Sequence, residues 1–265
     1  MTGALEGLFR AAHLSEIRRV ANEKIVGDLY ADADGANFQL VVLATEIGKR
    51  FPGLIFIPGP VKGEARARQK TAWDYSGDFF SLKDVVRMTM IAKDQQALAD
   101  LREVMRKYCI AANGYSLIKD AETFANVEAC GYSGLNLVVK LPLNAPQTAA
   151  GVVGPAMPYT GRPAEIQANV PQIMYGKMSK KSFCKSFGES EHARIQASYQ
   201  VEGGLGHKLY EVYRENLQGK AQAAAMLSKL YYAYLRSAPN QFRRTELDAR
   251  IPGFKAQFSQ LFVEH

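Results

Sequence analysis

Lys62, Arg66 and Lys70 fall at i, i+4 and i+8 directly after the turn Pro58-Gly59-Pro60. They lie in or beside a stretch, 63 to 74, built from Glu, Ala, Arg and Gln, all good helix formers. That spacing stacks three cations along one helical stripe. Such a stripe is relieved by a bound polyanion such as a polyphosphate; the plainer reading is a solvated face balanced by Glu64 and Asp74. Asp84 opens the apolar run DVVRMTMIA (84–92) after the turn-like Ser76-Gly77-Asp78. A carboxylate at the mouth of a strand can hold magnesium, or it can cap a turn. Arg87, three residues on, offers a further phosphate contact, although alternation assigns it to neither face. Glu165 and Gln167 flank Ile166 in Pro163-Ala164-Glu165-Ile166-Gln167. A period of two turns both polar side chains to one face of a strand, where they line a site or face solvent from an edge.

The elements needed to position these residues are legible as patterns. Helical spacing covers 4–31, through Leu5, Leu8, Phe9, Ala12, Leu14, Ile17 and Val20, and a second helix covers 36–50. Gln95 to Lys107 is a helix with Leu98, Leu101, Val104 and Met105 on one face. Strands are expected at Leu54–Ile57, Asp84–Ala92, Tyr115–Ile118, Leu135–Leu141 and Arg162–Ala168, with a Pro-, Gly- and Ala-rich loop over 142–161. Helices over 171–187, 190–215 and 219–237 follow, then a basic tail from Arg243-Arg244. Helices around a mixed run of strands define an α+β fold with one mixed sheet flanked by helices.

The bulk numbers narrow the class of protein. The chain has 265 residues, 47% of them hydrophobic and 22% charged, which suits a folded domain with a sizeable core. Lys plus Arg exceed Asp plus Glu by 33 to 26, a net charge of +7. This excess favours nucleotides, RNA or an acidic binding protein as partners, or serves only solubility. Cys109, Cys130 and Cys184 show no pairing pattern and read as reduced thiols of a cytosolic protein. His13, His192, His207 and His265 lack metal-ligand spacing. The apolar runs are too short to span a bilayer, and Glu6 and Arg10 interrupt any secretory signal. The chain is expected to act in a cytoplasm, where it is made or into which it is delivered.

The order of these features is informative. A basic helix is followed by DVVRMTMI, a helix, Gly131-Tyr132-Ser133-Gly134-Leu135-Asn136, then Glu165-Ile166-Gln167, and then helices containing Gly206-His207-Lys208-Leu209-Tyr210. Over about residues 54 to 215 this resembles the RelA/SpoT-like synthetase domain, whose members make hyperphosphorylated nucleotide alarmones. The resemblance implies a nucleotidyltransferase-like fold with three segments: a helical one (1–53), the synthetase domain (54–215) and a helical extension with a basic tail (216–265). It implies that Lys62 and Lys70 hold the phosphates of ATP, with Arg66 where the family usually has Ser and Pro60 where it usually has Arg. A second register, starting at Arg66 and Arg68, is open. Asp84 and Glu165 correspond to the family's magnesium-binding carboxylates, Glu165 also to the residue that activates the attacking hydroxyl. Tyr132 corresponds to the tyrosine that stacks on the acceptor base, with Asn136 and Gln167 beside it as acceptor contacts.

Cys130 and Asn136 depart from the Asn and His of the family's N-G-Y-Q-S-L-H motif. This shifts the likeness towards the divergent toxic small synthetases, some of which act on adenine nucleotides or on the 3′ end of tRNA. No His-Asp hydrolase region precedes the synthetase stretch, so product would accumulate, as suits a toxin with an antitoxin or immunity protein. The expected activity is transfer of the β,γ-pyrophosphate of ATP to a ribose hydroxyl of a purine nucleotide, with magnesium as cofactor and tRNA as the other acceptor. Two rivals remain: an ADP-ribosylating toxin, whose E-x-E or Q-x-E pair is absent here, and an inactive synthetase-like module that binds RNA or protein. His207 and Tyr210 read as helix-packing or rim residues.

Overall fold

The computed structural model describes residues 26–27, 30–31, 33–123, 129–142, 148–149, 152–153 and 162–262. The helix expected over 4–31 and the loop over 142–161 therefore fall largely outside the described residues. Helix α1 (Ala33–Arg50) leads into strand β1 (Ile55–Pro58), helix α2 (Glu64–Asp74), strand β2 (Arg87–Ile91) and helix α3 (Gln95–Tyr108). Strands β3 (Ser116–Glu122) and β4 (Leu135–Lys140) follow, then a two-stranded ribbon, β5 (Thr148–Ala149) and β6 (Val152–Val153), and strand β7 (Pro163–Asn169). The remainder is helical: α4 (Pro171–Lys177), α5 (Lys180–Phe187), α6 (Glu189–Tyr199), α7 (Leu205–Arg214), α8 (Ala221–Arg236) and α9 (Gln241–Gln257).

The main sheet has the order β1-β2-β7-β4-β3. β2 and β7 run parallel, with Arg87 opposite Glu165, and the other pairs are antiparallel, so the sheet is mixed as expected. One face carries Met88, Met90, Leu135, Leu137, Ala164, Ile166 and Ala168, all buried, and packs on α1 and α3. Asp94 caps α3 by accepting from the Ala97 amide at 2.8 Å. The opposite face carries Arg87, Thr89, Asn136, Glu165 and Gln167, and it is the face on which a site can be built.

Three expectations are corrected. The strand beginning at Asp84 starts only at Arg87; Asp84, Val85 and Val86 are buried in a bend before it, where the Val85 carbonyl accepts from the Lys62 amide of the turn after β1. The continuous helix over 190–215 is two helices, because Gln200 and Gly204 adopt left-handed backbone and the Gly204 amide donates to the Tyr175 carbonyl at 2.8 Å. The stretch from Arg243 is no loose tail. It is part of α9, which seats Leu247 and Phe254 in the core, and Phe258 follows them there. The helix Arg243 guanidinium donates to the Ala233 carbonyl at 3.0 Å, and Arg244 pairs with Asp248 at 2.8 Å. The three cysteines are free thiols, and burial pushes that of Cys109 up to about 12.

α8 is the hub of the helical layer, with Tyr231, Tyr232, Tyr234 and Leu235 buried along it and contacts to α4, α7 and α9. Gly131 lies against it with φ +75°, and a Cβ there would stand 2.4 Å from Lys229 Cα. Gly53 has a similar φ, +84°, but nothing within 4 Å of its added Cβ. Replacing Gly53 by Ala should therefore cost only backbone strain, about 1 kcal/mol. Gly131→Ala adds overpacking against backbone that cannot turn aside, roughly 3 kcal/mol in all. Urea denaturation of the two variants beside the parent checks this; equal losses would show that α8 yields.

Candidate active site

The turn after β1 delivers Lys62 to the mouth of β2. The Gly59 amide donates to the Arg87 carbonyl and the Lys62 amide to the Val85 carbonyl, both at 2.9 Å. The Tyr30 hydroxyl donates to the Lys62 carbonyl at 2.6 Å. Gly59 is required here: an added Cβ would meet Arg87 Cγ at 2.8 Å, so the glycine lets the Arg87 side chain pass over the turn. Lys70 comes from the second turn of α2. The Nζ atoms of Lys62 and Lys70 reach Asp84 Oδ2 at 2.8 and 2.7 Å, and the Asp84 side chain is only 9% exposed.

Lys62 lies two residues before α2, so only Arg66 and Lys70 share the helix and the expected three-cation helical stripe does not form; part of the repulsion among the three is relieved from within the chain. Arg66, the third member, stays exposed and hydrogen-bonds Gln69. Burial alone would raise the Asp84 carboxyl, but the hydrogen bonds and charges of the two lysines outweigh it and hold the carboxyl below its ordinary value. Burial works against the Lys70 ammonium too; its bond to Asp84, with the Asp84 and Glu165 charges, nevertheless holds it above its ordinary value.

Glu165 stands on β7 with Gln167, and both are half-buried while Ala164, Ile166 and Ala168 are buried behind them. Asn136 Nδ2 donates to Glu165 Oε1 at 3.1 Å, and Gln167 Nε2 lies 3.4 Å from Glu165 Oε2. Two residues expected to touch the acceptor therefore also orient the carboxylate. Lys177 Nζ donates to Gln167 Oε1 at 2.8 Å, lies 3.4 Å from the Tyr132 hydroxyl and sits 4.7 Å from its ring centroid. The Tyr132 ring also packs edge-on against Tyr232 at 5.7 Å.

The loop that carries Tyr132 is pinned from afar. Ser228 donates to the Cys130 carbonyl at 2.5 Å, and Arg236 donates to the Gly131 carbonyl at 2.6 Å and to Ser133 Oγ at 2.8 Å. Asn169 donates to the Ser133 carbonyl at 2.7 Å.

These groups surround a cavity of about 670 Å³. Of the residues singled out from the sequence, Lys62, Arg66, Lys70, Arg87, Tyr132, Asn136 and Gln167 line it. Asp84 and Glu165 stand just behind, each bonded to lining residues. Arg87, which alternation left unassigned, is on the Glu165 face because the two are register partners across parallel strands. His207 and Tyr210 are at the rim, and the His207 side chain is 56% exposed.

Sequence reasoning missed Lys177, Arg214 and Trp73 in the lining, and Arg236 behind the loop. A basic residue ending the helix after Glu165-Ile166-Gln167 was a usable signal for Lys177. Nothing local marks Arg236, which acts across more than a hundred residues.

Magnesium takes hard oxygen donors in octahedral geometry and usually combines one or two carboxylates with phosphates and waters. Asp84 Oδ1 is buried without a hydrogen-bond partner, and Glu165 lies within electrostatic reach of the same Lys70. The donor chemistry fits an ion shared with phosphate. Among the described residues no cluster of three or more His, Cys, Asp or Glu could hold a metal unaided.

One face of the mixed sheet is thus buried under helices, and the other backs a basic cavity with Asp84 and Glu165 just behind its lining, a charge pattern suited to a bound polyanion. No protein-family model matches the chain. The (p)ppApp synthetase toxin Tas1 of Pseudomonas aeruginosa (strain UCBPP-PA14) is 29% identical over 210 residues, which cover 78% of this chain and 42% of Tas1; the chain thus spans less than half the length of that relative. The crystal structure of the complex between the Type VI effector Tas1 and its immunity protein matches with a TM-score of 0.56 at 29% identity, over 81% of this chain and 95% of that one. A GTP pyrophosphokinase family protein from Streptococcus pneumoniae is a more distant likeness, 16% identical with a TM-score of 0.45 over 75% and 96% of the two chains. The resemblance to RelA/SpoT-like synthetases read from the motifs is thus joined by likeness in sequence and fold to a (p)ppApp synthetase toxin.

The Asp84 pair sets a pH dependence. Its folded pKa lies below the ordinary 3.8, so the stability it contributes is complete above that value and is lost as pH falls through the depressed one. The stability gap between the parent and Asp84→Asn should be constant from neutral pH to about 5 and close in more acid solution. Urea denaturation across a pH series reads this directly. A gap that widens on acidification would contradict the sign.

Proposed function

We propose that this chain is a pyrophosphokinase that moves the β,γ-pyrophosphate of ATP to a ribose hydroxyl of a purine nucleotide, with an adenine nucleotide as acceptor, and that it acts as a growth-inhibiting toxin. The observation that carries this reading is the concentration of charge at the cavity. Among the described residues six basic side chains line it (Lys62, Arg66, Lys70, Arg87, Lys177 and Arg214) against Asp74 in the lining and Asp84 and Glu165 just behind it. Basic groups thus outnumber carboxylates six to three at this one cavity, a positive surface suited to polyphosphates. The adenine acceptor is supported by the likeness to Tas1, which is named a (p)ppApp synthetase toxin, and by Cys130 and Asn136 in place of the Asn and His usual in the resembled motif.

In this reading Lys62, Arg66, Lys70 and Arg87 clamp the phosphates of ATP, and Tyr132 stacks on the acceptor base. Glu165, held by Asn136 and Gln167, accepts the proton of the ribose hydroxyl. The freed oxygen attacks the β-phosphorus, the bond from that phosphorus to the oxygen bridging the α-phosphate breaks, and AMP leaves with that oxygen. The proton on Glu165 passes to solvent. Magnesium held by Asp84 and Glu165 would supply charge neutralisation on the phosphates. Positioning and charge do most of the work in such transfers. Tas1 forms a complex with its immunity protein; for this chain we infer an acidic neutralising partner drawn by the basic cavity. Among the described residues no helix is long and apolar enough to cross a membrane, and delivery into a target cell's cytoplasm accords with the likeness to a type VI effector.

The test is the mass of the product formed from labelled ATP with adenine nucleotides, guanine nucleotides or tRNA supplied separately. AMP release with a pyrophosphorylated adenine nucleotide is expected; activity confined to tRNA and collapsing with salt would overturn the acceptor. Glu165→Gln and Asp84→Asn should each lower the rate about a thousandfold or more, the scale of losing one charged group from such a site. Turnover near the parent rate in either variant would remove that residue from the mechanism. Tyr132→Ala should weaken acceptor use by ~1–3 kcal/mol, while Tyr132→Phe keeps the ring and is mild. Equal losses for both substrates would make Tyr132 a packing residue.

A further inference from the structure

We propose that Arg236, from outside the cavity, is a positioning residue for the acceptor: it holds the backbone on both sides of Tyr132 and so fixes the ring on which the acceptor base rests. The inference rests on the pyrophosphokinase reading and adds to it a residue that acts without touching substrate.

Tyr132 lies between β3 and β4 in a segment that belongs to neither strand. One nitrogen grips both of its neighbours. Arg236 Nη1 donates to the Gly131 carbonyl at 2.6 Å and to Ser133 Oγ at 2.8 Å. With a contact on each side, backbone rotation at Tyr132 would break at least one of the two bonds. Arg236 ends α8, and a cation at that place often serves only the last carbonyls of its own helix. Here both bonds go instead to a segment more than a hundred residues earlier in the chain.

The contact is one of a set. Ser228, Tyr232 and Arg236 stand at i, i+4 and i+8, a single stripe of α8, and all three meet the tyrosine loop. Ser228 donates to the Cys130 carbonyl, and the Tyr232 ring meets the Tyr132 ring edge-on. Gly206 on α7 leaves room for Tyr232, because an added Cβ would collide with that ring and its hydroxyl. Of the three, Tyr232 lines the cavity, whereas Ser228 and Arg236 stand behind it.

A guanidinium is an unfavourable choice for a mere anchor. Arg236 is half-buried, and burial with the nearby Arg243 charge holds it below its ordinary value. Among the described residues no carboxylate pairs with it. A neutral donor would join loop to helix without stranding a charge. What the charge supplies is strength, since hydrogen bonds from an ionised donor are roughly twice as strong as neutral ones. A ring held in one orientation for a ligand requires that stiffness; a loop merely packed on a helix does not.

The test uses the full chain, with labelled ATP as donor and ADP as acceptor, its product resolved by mass. Arg236→Met should lower kcat/KM for ADP about tenfold or more, the scale of losing charged hydrogen bonds. The KM for ATP should stay within about twofold. Arg236→Lys keeps one charged nitrogen with several donors and should recover most of the loss. In a Tyr132→Ala background Arg236→Met should have little further effect, because the residue it acts through is gone. Hydrogen exchange of the amides in 130–134 should quicken about tenfold or more in Arg236→Met, with that of β7 unchanged. Should Arg236→Met not fold, Ser133→Ala removes one of the two acceptors and should show the same split between ADP and ATP, smaller in size. An equal rise in both KM values, a loss undiminished in Tyr132→Ala, or loop exchange like that of the parent would each overturn the assignment. If the parent releases no AMP with any acceptor while loop exchange still responds to Arg236→Met, the pyrophosphokinase reading falls and the clamp on Tyr132 stands.

Discussion

The carboxylate of Asp84 receives two ammonium groups on one oxygen, one from Lys62 in the turn after β1 and one from Lys70 inside α2. α2 buries only Ala67 and Thr71, so packing holds it weakly; the Lys70 pair ties the helix itself to Asp84, and the Lys62 pair ties the turn before it. Buried pairs of this kind seldom add net stability over a well-packed apolar alternative, but removing one partner is costly because it strands a charge. The arrangement therefore specifies geometry. It keeps two of the cations in place and leaves the second carboxylate oxygen, Oδ1, without a partner. Phosphates entering the cavity would compete with Asp84 for the same lysines, a competition that an apolar anchor for α2 could not provide.

Around Glu165 the logic is different. Its carboxylate is bonded by neutral amides, Asn136 from the neighbouring strand and Gln167 from its own, with Lys177 one step further out through Gln167. Amide donors orient a carboxylate without the strong stabilisation of its charge that a direct ammonium contact brings. The two carboxylates of the cavity thus sit in contrasting surroundings, Asp84 tied to lysines and Glu165 cradled by amides. Contrasting environments for paired carboxyl groups are what a division between charge-holding and proton-accepting roles calls for.

Much of this was legible in the sequence, for physical reasons that differ by element. The sheet was readable because β1, β2 and β4 are short apolar runs, β1 with Pro and Gly at both ends, and Glu165-Ile166-Gln167 because alternation on a half-buried strand carries its own face assignment; the polar half of β3, Lys119 to Glu122, gave no such signal. α3 was readable from Leu98, Leu101 and Met105 at helical spacing, all buried in the fold. The start of β2 was misplaced because Val85 and Val86 have the composition of a strand while serving a buried turn. The break at Gln200–Gly204 was hidden because left-handed backbone at Gln200 leaves no mark in composition. Arg243 and Arg244 read as a tail because charge was visible, whereas the residues they contact lie on other elements. Arg87 could be placed only by the register of β2 against β7, which no single strand encodes.

The loop that presents Tyr132 is closed by Ser228 and Arg236, partners that lie 98 and 105 residues away in the chain. Long-range contacts of this kind form late in folding, because chain must be ordered before they can reward it. As the polypeptide leaves the ribosome, a chain that has passed β7 but not α8 holds the basic helix and both carboxylates, yet lacks the clamp on the tyrosine loop. The cavity is completed only when α8 has been synthesised and docked. Until then the cell making this protein carries a chain whose cavity is still unassembled.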